Sequence, residues 1–382
     1  MKRPFSAHSA AYQFMVCMRS VLQNSTPCFA TDEQIHWKAL IQLAKEQAVT
    51  GLLYDAVSSL SAGQRPPRQV LISLYTDVVY IEQQNKLLDQ TIGQLLDAYR
   101  SCGITDALLI KGQGIARCYT HPHRRTPGDI DVFLPTNFEP AYQWSLQNGT
   151  NVQPFTPRTK HIAFTWKNVS IENHFKLAQY YDKRLNSRLQ QIITEGLTLE
   201  PSLSVRIHNQ TVQTLPPTLG LLHLIVHYSI HLVSWGVGMR QCMDILLYMR
   251  ENKQRVNKEQ LDVWIKELEL EHITTAIAGI GTDWFDFSDT DILYHWSPNP
   301  PLTTRLLNIM FHRGNFGMNL KPKRHSASGS FWNRSILFVR QSRETYRFMP
   351  REVRAALRGK ALSSVHKLCA AIRRNKSNHP HG

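Results

Sequence analysis

Apolar positions recur at helical intervals through the first hundred residues and then switch to a shorter period. "TDEQIHWKALIQLAKEQAVTGLLYDAV" carries Ile35, Leu40, Ile41, Leu43 and Ala44 at helical steps, and Thr31 precedes Gln34 at a capping-box spacing. "RQVLISLYTDVVYIEQQNKLLDQTIGQLLDAYRSCG" predicts one or two helices. Its stripe is Leu87, Leu88, Ile92, Leu95, Leu96 and Tyr99, and Gly103 stands where a left-handed cap would end it. "DALLI" at 106–110 is short, apolar and closed by Gly112, as a central strand would be. "IARCYT" suits a short helix, and "DIDVFL" reads as a second strand ended by Pro135. "IAFTWKNVSIENHFKL" predicts two strands around a turn at Lys167-Asn168, with Ile171, Asn173 and Phe175 on one face and Glu172 and His174 on the other. From Pro216 helices return in "TLGLLHLIVHYSIHLVSW", "MRQCMDILLYMR" and "KEQLDVWIKELELEHITTAIAGIG". The expected class is α+β, a small mixed sheet flanked by N- and C-terminal helical regions. The expected divisions are a helical region at 1–103, a core at 104–205, a helical domain at 206–304 and a basic, partly helical tail at 305–382.

Composition sharpens this picture mainly through charge. An apolar fraction of 42% with 8 Trp, 13 Tyr and 15 Phe over 382 residues belongs to a globular chain. No apolar run is long enough to span a bilayer, and "MKRPFSAHSAAYQF" has no signal-peptide core, so a transmembrane segment is not expected. The six cysteines show no CxxC spacing, which points to a reducing cytoplasm. The net charge of +15 is concentrated: from Arg305 onward there are 17 Lys and Arg against 2 Asp and Glu. Arg340, Arg343, Arg347, Arg351, Arg354 and Arg358 recur at helical steps, with Pro350 kinking the helix or beginning a new one. Phe331, Trp332, Phe338, Tyr346 and Phe348 are interleaved with them. Such a stripe suits an anionic partner: nucleic acid, a lipid surface or an acidic protein. The closing "IRRNKSNHPHG" is expected to be disordered.

The candidate chemistry lies in "ALLIKGQGIARCYTHPHRRTPGDIDVFL". In a strand, Asp129 and Asp131 share a side while Ile130 and Val132 face the core. Two carboxylates this close call for a cation, and a divalent metal such as Mg2+ or Mn2+ fits, with Glu172 as a third ligand. The bland alternative pairs these acids with solvent or with Arg124 and Arg125. "KGQG" falls where a strand turns into a helix, so Gly112 and Gly114 let the backbone approach an anion while Lys111 adds charge. Further along, His223, His227 and His231 repeat every fourth residue without a HExxH motif, which fits packed or site-lining imidazoles better than a zinc site. Arg240 and Asp244 have the spacing of an intrahelical pair. His174 either reaches the site or bonds within its own strand.

These residues resemble the uncharacterised nucleotidyltransferase group of the polymerase-beta-like nucleotidyltransferase superfamily, whose pattern is of the type KGxxLA…Y…R…GDIDLLV. Weaker likeness extends to "ALIQLAKEQAVTGLLYDAV", "VSIENHFKL" and "LLHLIVHYSIHLVSWGVGMRQCMDILLYM", over about residues 35–250. The resemblance implies Mg2+- or Mn2+-dependent transfer of a nucleoside monophosphate from an NTP to a hydroxyl acceptor, releasing pyrophosphate. It implies Asp129, Asp131 and Glu172 as catalytic and metal ligands, with Glu172 completing the site or acting as base. Lys111, Gly112, Gly114, Arg124, Arg125 and Gly128 would bind the nucleotide, and His174, His227 and Asp244 would line the site. The superfamily's Gly-Gly or Gly-Ser turn is Gly112-Gln113 here. Two rivals remain: a non-catalytic nucleotide- or RNA-binding protein, and a membrane-peripheral assembly factor acting through the basic tail. Under the enzyme reading, triphosphate binding is expected to survive removal of that tail.

Overall fold

The structure, a computed structural model, describes residues 5–6, 8–30, 33–156, 159–320 and 331–359. Thr31, the side chains of Phe331 and Trp332, and "IRRNKSNHPHG" lie outside the described residues. In chain order the main elements begin with α1 (Ala10–Leu22), α2 (Trp37–Glu46), α3 (Thr50–Ser58) and α4 (Arg68–Ser101). There follow β1 (Leu108–Leu109), α5 (Gln113–Ala116), β2 (Ile130–Phe133), α6 (Phe138–Asn148), β3 (His161–Trp166) and β4 (Val169–His174). The second half holds α7 (Lys183–Leu199), β5 (Leu203–Ile207), β6 (Gln210–Thr214), α8 (Pro217–Ser234), α9 (Met239–Glu251), α10 (Lys258–Glu267), α11 (Glu271–Phe285), α12 (Pro300–Arg313) and α13 (Phe331–Thr345). Residues 350–359 are also helical. The class is therefore α+β as expected.

One mixed six-stranded sheet runs in the order β3-β4-β2-β1-β6-β5. β2 pairs parallel with β4 and antiparallel with β1. All four β2 residues are buried because helices cover both faces of the sheet. On one face Leu109, Ile130, Val132, Phe164 and Ile171 pack with Leu88, Ile92, Leu95 and Tyr99 of α4 and with Trp144 of α6. Alternation then turns Asp131 and Phe133 to the opposite face, where Phe133 joins the larger core built by the other helices. The predicted α4 is a single 34-residue helix, and Gly103 follows it at φ 78°. Lys167 and Asn168 form the β3–β4 turn, both with positive φ, as a tight hairpin with the right twist requires.

Two features depart from the expected layout. The β5–β6 hairpin runs across residue 205, where the core was expected to end, and extends the sheet beyond β1. Its inward positions Val205, Ile207 and Val212 alternate with exposed Ser204, Arg206, Thr211 and Gln213, the pattern of a sheet edge with one wet face. The second departure concerns the basic segment. Phe338, Phe348, Met349, Val353 and Ala356 belong to the same core as α8, and Pro350 begins a new helix. As far as it is described, this segment is part of the body. No helix among the described residues is long and apolar enough to cross a membrane.

Candidate active site

The β1–α5 turn, the end of β2 and the side of β4 open onto one cleft of about 590 Å³ roofed by α8 and α9. Lys111, Gly112, Gly128, Asp129, Asp131, Lys160, His161 and Glu172 line its floor, and His227, His231, Arg240, Gln241 and Asp244 line its helical wall. Gly112 has φ 59° and ψ −116°, a region closed to side-chain-bearing residues, and a Cβ there would stand 3.4 Å from the Asp129 carbonyl oxygen. The turn therefore brings bare backbone against the carboxylate strand. Parallel pairing sets Asp131 opposite Glu172. Register and period thus deliver the three acids to one side.

Asp131 Oδ1 lies 2.9 Å from Lys111 Nζ and 2.9 Å from His174 Nε2. Burial alone would raise the Asp131 carboxyl, but the Lys111 ammonium and His174 outweigh it and hold the group far below the usual carboxylate range. Burial also raises Glu172, yet the His174 hydrogen bond and the neighbouring imidazoles bring it below its ordinary value. Asp129 goes the other way. Burial and the facing Glu172 push it up, and a Ser170 hydrogen bond only partly offsets them. His161 Nδ1 lies 3.2 Å from Glu172 Oε2, and burial lowers its pKa to about 4. Among the described residues, His161, Glu172 and His174 each bring one ligating atom within 4.8 Å of the others. Imidazole nitrogens of His161 and His174 therefore flank the Glu172 carboxylate.

On the helical wall His227 Nε2 accepts from Lys111 Nζ at 3.1 Å, and His231 Nε2 stands 3.1 Å from His227 Nε2. Burial and the nearby Lys111 hold His227 well below the ordinary imidazole value, so its lone pair is free to accept. Lys111 thus spends two of its three donors on protein groups. Lys160 adds a second ammonium to the floor, its pKa lowered by burial and by Lys111.

The expected residues separate cleanly by position. Lys111, Gly112, Gly128, Asp129, Asp131, Glu172, His227 and Asp244 line the cleft, and His174 sits behind Asp131. Arg125 reaches the cleft wall, but its guanidinium is engaged with Asp244 at 2.8 and 2.7 Å, and Tyr119 donates to the same carboxylate. Asp244 therefore pairs across elements with Arg125, and its helical neighbour Arg240 donates to the Thr126 carbonyl instead. Arg124 points elsewhere, to Glu82 at 2.8 Å and to Asp55. Gly114 packs under Leu109 and Thr214. Lys160, Gln241 and Phe316 line the cleft without having been singled out in the sequence. Lys160 stands one residue before β3, so a basic residue entering that strand was the available signal.

A family model described as uncharacterised nucleotidyltransferase matches residues 33–286. The chain belongs to that family. Among curated proteins it has no significant match. An antigenic nucleotidyltransferase-like protein from Paracoccidioides brasiliensis, known as a crystal structure, aligns over 55% of this chain and 94% of its own at 14% identity and a TM-score of 0.35.

Proposed function

We propose that this member of the family transfers a nucleoside monophosphate from a magnesium- or manganese-bound nucleoside triphosphate to a hydroxyl acceptor, releasing pyrophosphate. The observation that carries this reading is the convergence of Asp129, Asp131 and Glu172 with Lys111, Gly112 and Lys160 in one cleft. The donor set suits a divalent cation, because Asp129 and Glu172 repel one another and, of the three acids, Lys111 pairs with Asp131. Such a cation, held by Asp129, Asp131 and Glu172, would supply charge neutralisation at the reacting phosphorus. Lys111 and Lys160 bind the polyphosphate, and the bare Gly112 backbone lets it approach. Glu172 completes the cation site or takes the acceptor's proton. Asp131 stays ionised and orients Lys111. The free cysteines Cys17, Cys28, Cys102, Cys118 and Cys242 suit a reducing cytoplasm.

Incubation with each labelled triphosphate and magnesium in cell extract should label one acceptor and release pyrophosphate. The double variant Asp129→Asn with Asp131→Asn should lose at least about 100-fold of that transfer. Unchanged transfer would refute the assignment. A second reading, binding of an anionic macromolecule without catalysis, draws on the exposed Arg340, Arg343, Arg347, Arg354 and Arg358. RNA affinity that falls steeply with salt, with no pyrophosphate release, would favour it.

A further inference from the structure

The far end of the cleft is built by two turns, at 235–238 and 314–317, and the second lies outside the 33–286 span of the family match. They interlock backbone to backbone. A Cβ at Gly317 would fall 2.5 Å from the Trp235 carbonyl oxygen, and one at Gly238 would fall 2.9 Å from Asn315 Cβ. Between Asn315 and Gly317, Phe316 adopts φ 52° and ψ 31°. That left-handed conformation is costly for a bulky side chain and persists only where neighbours over-determine it. Its effect is to set the Phe316 ring in the cleft wall, edge-on to His231 at 4.9 Å and 5.8 Å from the Arg240 guanidinium carbon. Trp235, 62% exposed, lines the same end.

Gln241 adds a directional group. Its Oε1 accepts from the Gly238 N–H at 2.7 Å, which fixes which way the amide faces. Its Nε2 is buried with no hydrogen-bond partner, and the residue, 8% exposed, lines the cleft. A buried donor left over after its amide oxygen is pinned is available to an acceptor on a molecule held in the cleft. We propose that Trp235, Phe316 and Gln241 form the nucleobase subsite for the donor nucleotide: the rings stack on the base, and Gln241 Nε2 donates to an acceptor on its edge. This rests on the transferase reading above. The placement agrees with it, because the imidazoles of His231 and His227 lead from Phe316 to Lys111 and the carboxylates. Base and polyphosphate thus take opposite ends of one row. Stacking accepts any base, whereas the single donor favours those that present an acceptor to it.

The test is calorimetric titration of the full chain with each magnesium nucleoside triphosphate and, separately, with magnesium tripolyphosphate. Phe316→Asn keeps a residue that tolerates the left-handed backbone and removes the ring. Gln241→Glu keeps the oxygen that caps Gly238 and replaces the donor with a second oxygen. Each should cut the affinity for the best nucleotide about 10-fold relative to tripolyphosphate, since the ratio cancels any change in charge. An unchanged ratio in both variants overturns the subsite and leaves the transferase reading standing. Wild-type protein that binds tripolyphosphate as tightly as any nucleotide also overturns the subsite. Wild-type protein that binds neither overturns both.

Discussion

His223 is 3% exposed with neither ring nitrogen hydrogen-bonded, one turn of α8 from His227. Burial, then Lys111, holds it well below the ordinary imidazole value; burial likewise lowers His231 to about 3 and His161 to about 4. An unfolded chain would protonate these rings near pH 6.5, so between that point and about pH 4 it binds more protons than the fold does. Their contribution is therefore complete above about pH 6.5 and is lost as pH falls. Asp131 and Asp244, with depressed values, lose theirs only at lower pH. Asp129, Asp55, Asp283 and Glu352 are raised and act oppositely, but by less than the four imidazoles are lowered. The melting temperature should fall between about pH 7 and about pH 4.5, and a flat profile would contradict this assignment. His223→Leu should flatten that slope and add about 1 kcal/mol by removing a buried unsatisfied ring. Residues of this kind differ in how legible they are in sequence. Asp129 and Asp131 announce themselves because a period of two puts them on one face. Gln241 and Phe316 meet only through tertiary folding, and nothing in their local sequence marks them, whereas Lys160 shows itself only as a basic residue entering β3.

The loop before β2 is tied to α9 by Arg125 and Asp244, both buried. Removing one partner of such a pair leaves a buried charge uncompensated, whereas replacing both with apolar groups removes the desolvation cost as well. Asp244→Asn should therefore destabilise by about 3–5 kcal/mol in urea denaturation. Arg125→Met combined with Asp244→Leu should recover most of that loss. A double variant as unstable as the single one would mean that the pair's hydrogen bonds, and not its charge, hold the junction. The same scale separates readable elements from hidden ones. α4 was legible because Leu88, Ile92, Leu95 and Tyr99 form one continuous stripe against the sheet. The β5–β6 hairpin was not, since only Val205, Ile207 and Val212 point inward and its turn falls at His208, without the usual Asn-Gly signal. The Arg125–Asp244 pair was not legible, because sequence spacing shows only that Asp244 stands four residues from Arg240 on one helix.

Across the whole molecule the charge asymmetry suggested a removable tail, and packing says otherwise for its described residues. Arg313 is fully buried, with Nη2 2.7 Å from Glu344 Oε2 and 2.9 Å from the Gln341 carbonyl oxygen. Glu352 accepts from the backbone N–H groups of Tyr181 and Asp182 at 2.8 and 2.9 Å, which fixes the chain at the cleft rim where α7 begins. Phe338, Phe348, Met349 and Val353 are buried in the core shared with α8. Exposing four such side chains costs about 6–12 kcal/mol at about 1.5–3 each, comparable to the whole stability of a typical domain, about 5–15 kcal/mol. Losing Glu344 also leaves Arg313 charged and buried without its carboxylate. Truncation after residue 330 should therefore abolish cooperative thermal unfolding, and nucleotide binding with it, which reverses the expectation drawn from charge alone. The exposed arginines behave differently. Arg343→Ala with Arg347→Ala and Arg354→Ala should change stability by no more than about 0.5 kcal/mol each while weakening any anionic partner and lowering the salt dependence of its binding. Circular dichroism melts of the truncation and the triple variant, run side by side, separate the two roles: a truncated chain that melts cooperatively near the full-length temperature would mean that these helices are appended to the body that precedes them and do not complete it.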